Sequence, residues 1–160
     1  AFWNDIVEHP NYDDFWQAMN ILPHLRNAPP AVMTVGGWFD AEDLYGPLQI
    51  YREVEKHNPQ SFNMLVMGPW PHGGWARGSG NSLGNAHFGQ NPSEYYQRHI
   101  EFAFFNHYLN DGPDHGLPEA FVWETGENQW RQFETWPPAE AEPVTFYLTD
   151  GFGLSQEPPT

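Results

Sequence analysis

Two apolar runs of this chain each end in a side chain able to move a proton. AVMTVGGWFD ends at Asp40, and SFNMLVMGPWPH ends at His72. A carboxylate on one ring nitrogen of an imidazole holds the tautomer whose other nitrogen takes a proton from a nucleophile. It also stabilises the imidazolium that then forms. Asp40 and His72 suit those roles if their runs are neighbouring strands. The alternative is local: Asp40 caps the following helix, a common place for aspartate, and His72 is a turn residue after Pro71. Glu42 and Asp43 read as first-turn acids favoured by the helix dipole. The third member of such a device, a serine on a G-x-S-x-G elbow, is read as lying outside the 160 residues. The chain therefore reads as part of an enzyme.

Other candidates carry less chemistry. Asp13 and Asp14 form an acidic pair near a helix start and could bind a substrate ammonium group. A plain pair of helix N-terminal charges is the more frequent explanation. His87 sits in a Gly-rich loop, and His99, His107 and His115 show no convincing metal-ligand spacing, so no metal site is expected. Tryptophans gather at the strand ends, where Trp38, Trp70 and Trp75 are read as substrate contacts. Trp123, Trp130 and Trp136 lie in a later, β-rich segment. Aromatic walls beside acids also suit a non-catalytic carbohydrate-binding module, which is the rival reading.

The elements that must position Asp40 and His72 are legible around them. Residues Tyr12 to Leu22 read as a short amphipathic helix, closed by Pro23 and by Pro29-Pro30. Ala31 to Gly36 and Phe62 to Gly68 read as buried strands. Between them, Leu44, Leu48, Tyr51 and Val54 follow helical spacing, with Pro47 in the first turn and Asn58-Pro59 at the end. Strand, helix and strand in this order imply a parallel crossover, which brings Asp40 and His72 to one rim. The acid precedes the histidine in the chain, as in the α/β-hydrolase layout. After a Gly-rich loop, Asn91-Pro92-Ser93-Glu94 looks like a capped helix start, and that helix runs to about Leu109 before Asn110-Asp111-Gly112-Pro113 stops it. From Pro118 the helical period vanishes and short strand candidates take over, so an all-β unit is expected to begin near residues 112–117.

Composition narrows the function classes. A net charge of -15, from 21 acidic against 6 basic residues, disfavours nucleic acid and anionic membrane surfaces as partners. Absence of cysteine removes disulfides and thiol catalysis. No apolar run reaches the length of a membrane span, so no membrane insertion is expected.

The stretches HPNYDDFWQ, GGWFDAEDLYG, MGPWPHGGWARG, FFNHYLNDG and TGENQWRQFETWPP, in that order, resemble one family. It is the cocaine esterase and X-Pro dipeptidyl-peptidase family, with the α-amino-acid ester hydrolases and glutaryl-7-aminocephalosporanic acid acylase-like proteins as the nearest branches. The resemblance implies an α/β fold: the C-terminal half of an α/β-hydrolase core followed by the start of a jelly-roll domain. Residues 1–28 would end a helical cap region, 29–112 would complete the α/β domain, and 113–160 would open the β-sandwich. Asp40 would be the triad acid and His72 the triad base, with the serine upstream. Asp13 or Asp14 would help bind an α-amino group. The implied substrate is a small acyl ester or amide, with transfer to an amine such as a β-lactam nucleus as a second outcome, and no cofactor is required. A dipeptidyl-peptidase specificity stays open. The resemblance also implies a periplasmic or secreted parent, and the apolar edge of half a sheet predicts a homo-oligomer.

Overall fold

The structure, a computed structural model, describes residues 2–27 and 30–158. Pro29, named above as a helix terminator, lies outside them. The chain opens with two short helices, α1 (Phe2–Glu8) and α2 (Asp14–Met19), and a 3-10 turn (Leu22–His24). Strand β1 (Val32–Gly37), helix α3 (Tyr45–His57) and strand β2 (Asn63–Gly68) follow in the expected order. β1 and β2 pair in parallel from Val32↔Asn63 to Gly37↔Gly68, so their C-terminal ends are level.

Every residue of β2 is buried, and its alternation divides the core. Met64 and Val66 pack with Trp70, Tyr96, Ile100 and Phe121 on one face. Leu65 and Met67 pack with Tyr51, Ala120 and Val122 on the other, where α3 lies. This two-sided burial explains why β2 reads as a continuous apolar run rather than an alternating one.

Beyond β2 come a 3-10 turn (Gly74–Ala76) and a small hairpin of β3 (Ser82–Leu83) and β4 (Ala86–His87). The long helix expected over 91–109 is a composite. Its parts are α4 (Pro92–Tyr95), a π-helical stretch (Tyr96–Glu101) and α5 (Phe102–Asn110). Pro92 sits at the helix start as expected, whereas the Asn91 side chain makes no cap to the helix backbone. It lies 3.4 Å from the Glu94 carboxylate instead. Asp111 takes the left-handed conformation that ends α5 (φ 50°).

One boundary differs from the expectation. Strand β5 (Ala120–Glu124) pairs in parallel with β2, and β6 (Gln129–Phe133) folds back on β5, giving one sheet in the order β1-β2-β5-β6. The α/β layer therefore continues past 112, and the β-sandwich does not begin at 113. The loss of helical period after Pro118 marks only a change of element. Ala120, Phe121, Val122 and Trp123 are buried because β5 lies between β2 and β6. A separate two-stranded sheet, β7 (Tyr147–Thr149) with β8 (Gly153–Ser155), lies in the final segment.

Candidate active site

Level strand ends set up the site, and the exits from them are stitched together. Trp38 N–H donates to Gly68 C=O (2.8 Å) and Phe39 N–H to Trp70 C=O (3.1 Å). Gly37 has to be glycine for this approach, because a Cβ there would collide with the Trp70 carbonyl. The two loops thus leave the sheet side by side, one carrying Asp40 and the other His72.

His72 Nδ1 lies 2.9 Å from Asp40 Oδ2. The other carboxylate oxygen, Oδ1, accepts from the backbone N–H groups of Glu42 (2.8 Å) and Asp43 (3.0 Å). An ionised carboxylate can only accept, so Nδ1 carries the proton and Nε2 is left as the basic nitrogen. The Asp40 side chain is 3% exposed and His72 is 55% exposed, so the acid is hidden and the base is presented. The two backbone donors, with His72, hold the Asp40 carboxyl below the usual carboxylate range. Asp40, with the further charges of Glu42 and Asp43, pushes the His72 imidazolium pKa up from 6.5.

Asp40 thus bonds the backbone of the following turn through one oxygen and His72 through the other. Helix α3 starts later than Asp40, at Tyr45, and Asp43 serves its start by accepting from Gly46 N–H (2.5 Å). Glu42 is not simply a solvated first-turn acid. Its Oε2 lies 4.0 Å from His72 Nε2, on the reacting side of the ring.

The His72 loop is held by residues that spacing alone did not single out. Gly73 turns the chain in the left-handed region (φ 69°). Ser93 Oγ, fully buried, donates to Gly74 C=O (3.1 Å), and Gln97 Nε2 donates to Trp75 C=O (2.8 Å). Both acceptors are loop carbonyls, and both donors lie on the composite helix. A buried Ser one residue after a helix-start proline is the only sequence trace of this brace.

The remaining candidates separate clearly. Trp75 stands edge-on to His72, ring centroids 6.3 Å apart. Trp38 lines an aromatic cleft and donates its indole N–H to Trp123 C=O (2.9 Å). Trp70 is 1% exposed, packed in the core where it backs the cavity that His72 lines. Asp13 caps α2 through Phe15 N–H (3.1 Å) and pairs with His9 (2.7 Å). Asp14 is an exposed first-turn acid of the same helix. No hydrogen bond or ion pair joins Asp13 or Asp14 to Asp40 or His72. Among the described residues, no group of three or more His, Cys, Asp or Glu side chains could hold a metal ion.

One stretch, Gly80-Asn81-Ser82-Leu83-Gly84, does fit the G-x-S-x-G spacing. Ser82 shares a cavity of about 300 Å³ with His72. It lies in the β3–β4 hairpin, however, and its Oγ is bonded to Asn81 Oδ1 (3.2 Å). The strand–turn–helix that makes a nucleophile elbow is absent around it.

The model of the X-Pro dipeptidyl-peptidase (S15) family matches residues 1–74, which span both Asp40 and His72. Similarity then continues along the rest of the chain. Cocaine esterase from Rhodococcus sp. (strain MB1 Bresler) is 29% identical over 149 residues, covering 91% of this chain and 25% of the esterase. The crystal structure of an aminopeptidase from a marine sediment Thaumarchaeota archaeon superposes with a TM-score of 0.89 at 35% identity. A solved α-amino acid ester hydrolase does so with a TM-score of 0.90 at 31% identity. Each covers 99% of this chain, which spans 26% and 27% of theirs. The chain is similar to members of the X-Pro dipeptidyl-peptidase and cocaine esterase family. It has the family's α/β-hydrolase fold and spans about a quarter of the length of the relatives it matches.

Proposed function

We propose that this chain supplies the acid and the base of a Ser-His-Asp triad in a serine hydrolase acting on ester or amide acyl bonds, with Asp40 the acid and His72 the base. The observation that carries the reading is the buried Asp40 carboxylate, one oxygen on His72 Nδ1 at 2.9 Å and the other on two backbone N–H groups. A carboxylate fixed from both sides holds the imidazole in one tautomer, with Nε2 directed outward.

The nucleophile is a serine outside these 160 residues. His72 Nε2 takes its proton as the hydroxyl oxygen attacks the acyl carbonyl. The imidazolium then gives that proton to the leaving alcohol or amine, and an acyl-enzyme remains. Water, deprotonated by the same nitrogen, releases the acid, and an amine in place of water gives acyl transfer.

The charge around Nε2 supports a choice among acyl donors. Glu42 at 4.0 Å, with Asp43 also acting on the ring, favours a substrate with a free α-ammonium group. It disfavours a glutaryl chain, whose terminal carboxylate would meet like charge. Substrates of the α-amino ester or aminopeptidase type fit best. The names of the two solved structures support the same class.

The test is an assay of the full polypeptide carrying these residues against α-amino esters, glutaryl amides and simple acyl esters. Turnover of the first group, abolished by His72→Ala and retained in Ser82→Ala, is the expected result. Activity that survives His72→Ala, or that is lost in Ser82→Ala, would overturn the assignment.

A further inference from the structure

A cleft of about 540 Å³ opens at the C-terminal end of β5, within the range of small-molecule sites. Trp38, Phe133 and Trp136 wall it with their rings, Val122 and the Trp123 backbone line it from the sheet, and Phe39 stands at its edge. These rings are held in place. Trp38 is pinned to the Trp123 carbonyl (2.9 Å), and Trp136 N–H donates to Tyr51 Oη (3.3 Å). Trp136 stands edge-on to Phe133 at 5.3 Å. The Tyr51 hydroxyl in turn donates to Glu119, so the wall is braced from the core side.

The cleft also carries one charge of each sign. Arg131 Nη1 lies 3.2 Å from Glu124 Oε2, and both side chains are about half exposed. Arg131 is set opposite Val122 in the β5–β6 ladder, and Glu124 ends β5, so the pair lies on the Val122 face of the sheet, beside the aromatic walls. A guanidinium is uncommon here: the chain has 6 basic residues against 21 acidic ones. An exposed ion pair adds little to stability. It does present an acceptor and a donor of opposite charge side by side, next to those walls.

We propose that this cleft binds a free aromatic α-amino acid as its zwitterion. Its ring lies among Trp38, Phe133 and Trp136, its carboxylate takes the Arg131 guanidinium, and its ammonium takes the Glu124 carboxylate. The two ligand charges sit on one carbon and replace the protein's own pair without leaving either side chain unmatched. A sugar would use the rings but not the charges. A plain aromatic acid would use Arg131 and leave Glu124 facing its carboxylate. Neither Asp40 nor His72 lines the cleft, and the proposal does not rest on the hydrolase reading.

The test is calorimetric titration of the full polypeptide with L-phenylalanine and L-tryptophan. 3-Phenylpropionate, phenethylamine, L-alanine and cellobiose serve as comparison ligands. Saturable binding of the two aromatic amino acids is expected, with each comparison ligand about tenfold weaker or worse. Arg131→Gln and Glu124→Gln, both at exposed positions and checked by unchanged circular dichroism, should each weaken binding by about tenfold. Asp40→Asn should bind as the unmodified protein does. Absence of binding, equal binding of 3-phenylpropionate or cellobiose, or loss of binding in Asp40→Asn would each overturn the proposal.

Discussion

Two aspartate–histidine pairs in this molecule are bonded almost identically, yet the fold sets them in different surroundings. In each, a carboxylate Oδ2 meets an imidazole Nδ1, at 2.7 Å for Asp13 with His9 and 2.9 Å for Asp40 with His72. In each, Oδ1 accepts backbone N–H groups just downstream. The differences lie in where the partners come from. His9 and Asp13 are four residues apart beside one short helix, with side chains 36% and 43% exposed, and the His9 ring stacks on Phe15 at 4.5 Å. Asp40 and His72 come from two strands, and the Asp40 side chain is 3% exposed. Burial keeps water from competing for the carboxylate, and separate strand ends leave the far ring nitrogen open to a reactant. A hydrogen bond between the right residue types is thus not yet a catalytic pair.

The largest expected contrast is between the two aspartates themselves. Asp40→Asn should lower kcat by about 10⁴-fold, the scale seen when a triad acid is neutralised. Asp13→Asn should leave kcat where it was. Comparable losses in both, measured under saturating substrate, would break the distinction drawn here.

The brace under the His72 loop comes next. Gln97→Ala removes the donor to Trp75 C=O, and a misplaced base costs up to about 10²-fold in kcat. Gln97→Glu, which keeps length but loses the N–H donor, should behave like the alanine variant. An effect on KM alone would instead point to substrate contact.

A smaller effect tests the electrostatics. His72 must be neutral to act as base, and its pKa is raised, so the acid limb of kcat/KM should lie above 6.5. Activity is lost as pH falls through that limb. Glu42→Gln removes one of the charges that raise the pKa, so the limb should move to lower pH. An unmoved limb would mean that Glu42 does not act on the reacting nitrogen. Smallest of all, Asp13→Ala removes the α2 cap and should lower Tm slightly with kcat unchanged.

Much of this arrangement was legible before any coordinates. Brief Val- and Met-rich runs between Pro and Gly marked β1 and β2, and the Leu44–Val54 spacing marked α3. β5 was legible as a strand but not as a member of the same sheet. Nothing local to AFVWE says which neighbour it will pair with, because parallel pairing with β2 depends on a helix folding back between them. The tryptophans were equally ambiguous, since an indole serves a core and a cleft with the same surface. Trp70 went to the core and Trp38 to the cleft.

By itself, then, the order of residues determined the crossover unit, the charge that turns away polyanions, and the two side chains able to exchange a proton. All three follow from local periodicity and from residue chemistry. Only the folded arrangement decided that Gly37 and Gly68 stand level, that Asp40 divides its two oxygens between backbone and imidazole, and that Asp13 stays a helix cap. Those outcomes depend on register and burial, which arise when distant segments pack and which no single stretch of chain encodes.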